Sequence, residues 1–102
     1  MTAERNAPLV SIMMPAHNAE RYIGAAIASA RAQTYTNWEL IIVDDGSTDG
    51  TATIAARAAA SDPRVRLIRQ PNGGEAVARN TALAHLRGEL IAFLDADDAY
   101  LP

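Results

Sequence analysis

Three acidic or amide-bearing groups stand out by type and spacing, and each follows a short apolar run. Asp95, Asp97 and Asp98 place three carboxylates within four residues directly after Leu90–Leu94. Carboxylates this close repel one another unless they stay in water or share a cation. In extended chain Asp95 and Asp97 point the same way, so both can face one ion. Hard oxygen ligands without nearby His or Cys suit Mg2+ or Mn2+ rather than zinc. A solvated acidic loop is the plainer alternative. Asp44 and Asp45 follow the run Trp38–Val43 and open Asp44-Asp-Gly-Ser-Thr-Asp49. Continued strand geometry sends their side chains to opposite sides, so one can orient the loop while the other reaches a ligand. Either carboxylate could bind a ribose hydroxyl or accept a base N–H, or could serve only turns and caps.

The third group is Pro15-Ala16-His17-Asn18. Pro15 is expected to end the first strand, because it donates no ladder hydrogen bond. Asn18 reads as a helix N-cap, while the amides of this turn could also face a ligand. His17 reads as a loop residue rather than a metal ligand. A fourth segment, Gly73-Gly-Glu-Ala-Val-Ala-Arg79, combines close backbone approach at Gly73 and Gly74 with a helix N-terminus that favours an anion. Arg79 could reach a phosphate or a nearby carboxylate, or could be a surface residue. His85 reads as a surface or dipole-compensating residue.

Composition removes many alternatives. There is no Cys, and all nine basic residues are Arg, so thiolate, zinc–sulfur, phosphate-loop Lys and Schiff-base chemistry are excluded. A net charge of −3 argues against a nucleic-acid partner. No apolar run approaches the roughly 20 residues of a membrane span, and the N-terminus lacks a signal-peptide pattern, which makes a cytoplasmic setting the default expectation. Ala occupies 22 of 102 positions, so the core must rely on small and aliphatic side chains.

The elements that must position these groups alternate. Strands are expected at 9–14, 38–43, 65–68 and 90–94, and helices at about 19–33, 51–60 and 75–86. The first helix should show Tyr22, Ile23, Ala26, Ile27 and Ala30 on one face. Asp49 or Ser47 should cap the second, Asp62-Pro63 should end it, and Gly88 should stop the third. Connections of this length make parallel βαβ units with right-handed crossovers. The expected fold is α/β, a Rossmann-like three-layer α/β/α with a mostly parallel sheet in strand order 3-2-1-4. Ligands bind such sheets in the crevice at the carboxyl ends of the strands. Strand 4 is then an edge despite an apolar content that suits a central strand. The assembled site offers a metal place, a pyrophosphate place, and carboxylates for a sugar or base. No G-x-G-x-x-G and no G-x-x-x-x-G-K-[ST] is present, which speaks against a dinucleotide or phosphate-loop reading.

In order and spacing, the chain resembles the family 2 (GT-A fold) glycosyltransferases. The stretches that carry the resemblance are Val10-Ser-Ile-Met-Met-Pro-Ala-His-Asn18, Trp38-Glu-Leu-Ile-Ile-Val-Asp-Asp-Gly-Ser-Thr-Asp49, Asn72-Gly-Gly74 with Ala78-Arg-Asn80, and Gly88-Glu-Leu-Ile-Ala-Phe-Leu-Asp-Ala-Asp-Asp98. The resemblance implies a nucleotide-sugar donor, most often UDP-linked, and a divalent metal, Mn2+ or Mg2+. It implies that Pro15, Ala16 and Asn18 line the nucleotide, that Asp45 hydrogen-bonds the uracil ring, and that Gly74 and Arg79 lie near the donor. Asp95-Ala96-Asp97 matches the D-x-D motif, with Asp95 toward ribose, sugar or metal and Asp97 holding the metal. His17 departs from the Tyr common in the family. On this reading residues 1–8 are an N-terminal extension, and 9–102 form the nucleotide-sugar-binding half of a GT-A domain. The general base and acceptor recognition are expected in a second half beyond Pro102, so the acceptor stays unidentified and the chain alone is expected to be inactive. The open sheet edge could support self-association, and the parent protein could be membrane-associated. A non-catalytic nucleotide-binding or interaction module of the same fold is the alternative.

Overall fold

The computed structural model describes residues 8–96. Asp97 and Asp98 lie outside the described residues. The element order is β1 (Val10–Ala16), α1 (Ile23–Arg31), β2 (Trp38–Asp45), α2 (Thr51–Ser61), β3 (Val65–Gln70), α3 (Glu75–Ala84) and β4 (Leu90–Phe93). All four strands are parallel and ordered β3-β2-β1-β4, the order expected from the sequence. Among the described residues no helix is long and apolar enough to cross a membrane.

The two faces of the sheet follow from strand alternation. Ile12, Met14, Leu40 and Ile42 point into one core with Ile23, Ala26, Ile27 and Ala30 of α1 and Ala55 and Ala58 of α2. Met13, Ile41 and Val43 point to the other face, against Ala78 and Ala82 of α3. Alanines on every helix let the helix axes lie close to the sheet, which is how an Ala-rich chain packs without large aromatics. Ile41, Ile42 and Val43 are fully buried, as a strand covered on both faces demands.

Several boundaries differ from the sequence expectation. Pro15 does not end β1; it is the penultimate residue and pairs with Val43 of β2. Leu9 and Met13 use their carbonyls toward β4, accepting from Glu89 and Leu94, whereas the Val10 amide donates to Asn37 on the β2 side. By alternation Pro15 faces the β4 side, beyond the last ladder pair Met13↔Phe93, so no partner misses its N–H. Asn18 does not cap α1, which starts four residues later than expected. It adopts φ 49°, and residues 19–22 form a turn that leaves Tyr22 exposed rather than on the apolar face. Helix α3 ends at Ala84, and Gly88 lies past it in the α3–β4 connection. Gly50 occupies the cap position of α2, and Asp49 supports that turn by accepting the Thr51 amide at 2.9 Å. Strand β4 is the edge, with Leu90 and Ile91 exposed.

Candidate nucleotide-sugar site

The carboxyl ends of β1, β2 and β4 and the N-terminus of α3 surround one open cleft of about 490 Å³. Pro15, Ala16, Asn18, Asp45, Gly74, Asp95 and Ala96 all line it. Residues from four separate segments therefore meet on one rim, because parallel strands deliver all their carboxyl ends to the same side.

Asp45 is the centre of this rim. As the last residue of β2 it points to the α3 face, opposite to Asp44, and is only 3% exposed. Its Oδ1 accepts from Gln70 Nε2 at 2.8 Å and the Gly73 amide at 2.9 Å, and its Oδ2 accepts from the Gly74 amide at 2.9 Å. Burial pushes its carboxyl up, but these donors and the neighbouring His17 outweigh burial and hold it below its ordinary value of 3.8. Its carbonyl accepts from His17 Nδ1 at 2.8 Å, a bond that places the ring proton on Nδ1. The Gly turn is also sterically required. Gly46 has φ 72°, and a Cβ there would lie 2.6 Å from the Asn72 amide nitrogen. Gly74 has φ 94°. The two loops thus close on Asp45 through a Gly46–Asn72 approach that a Cβ would block and a Gly74 backbone conformation that favours glycine.

Asn18 holds the opposite wall. Its Oδ1 accepts the Thr48 amide at 2.8 Å, and its own amide donates to Ser47 Oγ at 2.9 Å. Next along, the Ala19 amide donates to the buried Thr51 Oγ1 at 2.8 Å, and the Glu20 amide to Asp49 Oδ2 at 3.2 Å. Glu20 Oε2 returns the contact by accepting the Gly50 amide at 2.7 Å. These bonds clasp the β1–α1 turn to the β2–α2 loop and fix Asn18 in its left-handed conformation. Hydrogen bonds from Thr51, which outweigh burial, hold the Asp49 carboxyl below 3.8.

Asp44 faces the α1–α2 side, is 1% exposed, and lies 3.6 Å from Arg69 Nε, with the Ser47 amide on its Oδ1 at 3.3 Å. It orients the loop. Arg79 does not line the cleft. Its guanidinium donates to Glu75 Oε1 at 2.9 Å and stacks 4.9 Å from the centre of the Phe93 ring. The helix turn that was expected to bring Arg79 to the rim instead directs it along α3 to an i,i+4 partner. Glu75, Tyr22, Asn72, His17 and Ala19 also line the cleft, although residue type and spacing do not mark them as ligand residues. Tyr22 carried a misleading signal, since helical spacing assigned it to a core face.

The lining contains the carboxylates Asp45, Glu75 and Asp95, with His17 as its basic side chain and no arginine among the described residues. No group of three metal-ligating side chains occurs among the described residues. A hard divalent cation needs only one or two protein carboxylates when phosphate and water complete its shell. Asp95 on the cleft wall supplies one such carboxylate, which is compatible with a hard divalent cation.

Comparison with known proteins agrees with this geometry. The family model described as glycosyl transferase family 2 matches residues 11–102. An uncharacterized glycosyltransferase of Haemophilus influenzae is 48% identical over 94 residues, covering 91% of this chain and 38% of the relative. The Escherichia coli enzyme WfgD, a UDP-Glc:alpha-D-GlcNAc-diphosphoundecaprenol beta-1,3-glucosyltransferase, is also 48% identical over 94 residues, covering 91% of this chain and 36% of that protein. This chain thus spans less than two fifths of the length of these curated relatives. Among solved structures, the mannosyltransferase PcManGT of Pyrobaculum calidifontis, in complex with GDP-Man and Mn2+, superposes with a TM-score of 0.81 at 32% identity, over 93% of this chain and 29% of that one. Residues 1–349 of S. aureus TarS, in complex with UDP-GlcNAc, give 0.77 at 32% identity, over 88% of this chain and 27% of that one. The sheet order, the alternating helices and a family match that runs from β1 past the end of β4 agree on one assignment: the chain belongs to glycosyl transferase family 2 and has the fold of its GT-A members.

Proposed function

We propose that this chain forms the donor side of a glycosyltransferase and binds a nucleoside-diphosphate sugar, UDP-linked, together with Mn2+ or Mg2+. The observation that carries this is the charge of the cleft. A diphosphate beside three carboxylates calls for a cation to offset them, and among the described residues the lining supplies no arginine to do so. The N-terminus of α3 adds a favourable dipole end at the same place. Pro15, Ala16 and Asn18 supply a rigid wall for the base and ribose, and Asp45 Oδ2 accepts a base N–H by giving up its long 3.4 Å bond from Asn72 Nδ2. Asp95 reaches the ribose, the sugar or the metal, and Asp97 completes the metal ligands. Gly74 allows close approach of the diphosphate, and Arg79 reaches the donor only after leaving Glu75. When bound, the metal would neutralise the leaving diphosphate. The related PcManGT complex with GDP-Man and Mn2+ and the TarS complex with UDP-GlcNAc support this reading. Inverting transfer requires a general base and an acceptor site, which this reading places outside these 102 residues.

Calorimetric titration of UDP with and without Mn2+, in the wild type and in Asp97→Ala, tests the proposal. Binding that needs Mn2+ and is lost in Asp97→Ala is expected, with no sugar transfer by the chain alone. Binding of neither metal nor nucleotide would favour an inert module of the same fold.

A further inference from the structure

Strand β4 carries Asp95 to the cleft, yet its own side chains barely specify where it sits. It is four residues long, pairs with β1, and leaves Leu90 and Ile91 53% and 56% exposed. Within the strand only Ala92 packs against the core, with Leu94 buried just past its end, and a one-residue slip would exchange the two faces, draw Leu94 out of the core and turn Asp95 to the other side.

A second constraint on the register, besides the buried Leu94, lies at the far end of the sheet from the cleft. Glu39 of β2 is 6% exposed and sits beside Ser11 of β1 in the ladder. Glu39 Oε2 accepts Ser11 Oγ–H at 2.5 Å and the Arg87 amide at 2.7 Å, and Arg66 Nη1 lies 3.4 Å from Oε1. Ser11 Oγ in turn accepts the Gly88 amide at 2.7 Å. Two successive amides of the α3–β4 connection are thereby held by buried side chains immediately before β4 starts. The fit is close. A Cβ on Gly88 would lie 2.5 Å from Ser11 Oγ and 2.6 Å from the Leu9 carbonyl oxygen. From this anchor the chain runs through the pairs Val10↔Leu90 and Met13↔Phe93 to the bond from the Leu94 amide to the Met13 carbonyl at 2.9 Å, one residue before Asp95.

We propose that the Ser11–Glu39 pair is a positioning device for the donor site: by holding the Arg87 and Gly88 amides it sets the register of β4, and so presents Asp95 to the cleft about 20 Å away along the strand. The consequence for ligand binding rests on the donor-site reading; the consequence for register does not.

Amide hydrogen exchange of the 102-residue chain, followed by NMR in the wild type, Glu39→Gln and Gly88→Ala, separates these two levels. Gly88→Ala disturbs the anchor from the connection, without altering a core side chain, so it keeps the test open if Glu39→Gln fails to fold. The expected result is exchange at Leu94 faster by about tenfold or more, with Ile42 in the centre of β2 little changed. Unchanged exchange at Leu94 in a folded variant would overturn the proposal. So would a uniform increase at Ile42 and Leu94, because the pair would then serve general stability alone. Mn2+ with UDP, added to the same samples, should broaden the Asp95 and Ala96 amides in the wild type and do so less in Gly88→Ala. Absence of broadening in the wild type would count against the donor reading while leaving the exchange result to decide the register.

Discussion

The amide of Gly74 donates to Asp45 Oδ2 at 2.9 Å, so the acid that ends β2 and the glycine that opens α3 form one unit. With the Gly73 amide on Oδ1, Asp45 fastens the 72–74 turn to the sheet. Asp45→Ala should therefore cost about 2–3 kcal/mol, since it removes a buried charged acceptor and strands two amides. Asp45→Asn should cost less, because one oxygen remains. Urea unfolding of the three proteins measures the order.

Acid sensitivity follows from the same contacts. Asp45, Glu39 and Asp62 are each held below their ordinary values, the first two by donors that outweigh burial and Asp62 chiefly by its hydrogen bonds from Arg64. A carboxyl lowered on folding stabilises above its unfolded pKa and loses that contribution as pH falls through its folded pKa. Stability should be level above about pH 5 and should fall progressively below pH 4, the region set by ordinary values of 3.8 for Asp and 4.5 for Glu. Thermal melts in that range should show a shallower acid slope for Glu39→Gln than for the wild type.

Asn18 combines a left-handed backbone with a side chain that accepts the Thr48 amide. Asn18→Gly keeps the backbone and loses the bond, costing about 1 kcal/mol. Asn18→Ala loses both and should cost about 1 kcal/mol more than Gly. Equal effects of Gly and Ala in urea unfolding would show that the φ of 49° is not under constraint.

Legibility from sequence varied with the range of the interaction. The sheet order was legible because three long parallel connections and their handedness leave few topologies. The rim residues Pro15, Asp45 and Asp95 were legible because each lies within two residues of the end of an apolar run. Asn18 was misread because an Asn before an amphipathic stretch looks like a cap, and its real partners, Ser47 and Thr48, lie about 30 positions away. Pro15 was misread because tolerance of a proline depends on where the neighbouring strand stops. Arg79 has two partners within reach, Glu75 and Phe93, and spacing along the chain does not rank them against a ligand.

Edge strand β4 exposes Leu90, Ile91 and Phe93. An apolar edge with no further strand beside it among the described residues is a template for association. The chain should elute as larger species with rising concentration in size-exclusion chromatography, and Ile91→Lys should restore the monomer. Monomeric elution of the wild type at all concentrations would refute this.

In the proposed donor site Asn18, Gly74 and Asp95 surround one nucleotide-diphosphate and its cation. Paramagnetic broadening by Mn2+ in the presence of UDP measures this most directly. The amides of Asn18, Gly74 and Asp95 should broaden together, while those of Glu39 and Gly88 at the opposite end of the sheet stay sharp. Broadening at the Glu39 end, or at Asp95 without Asn18 and Gly74, would contradict it.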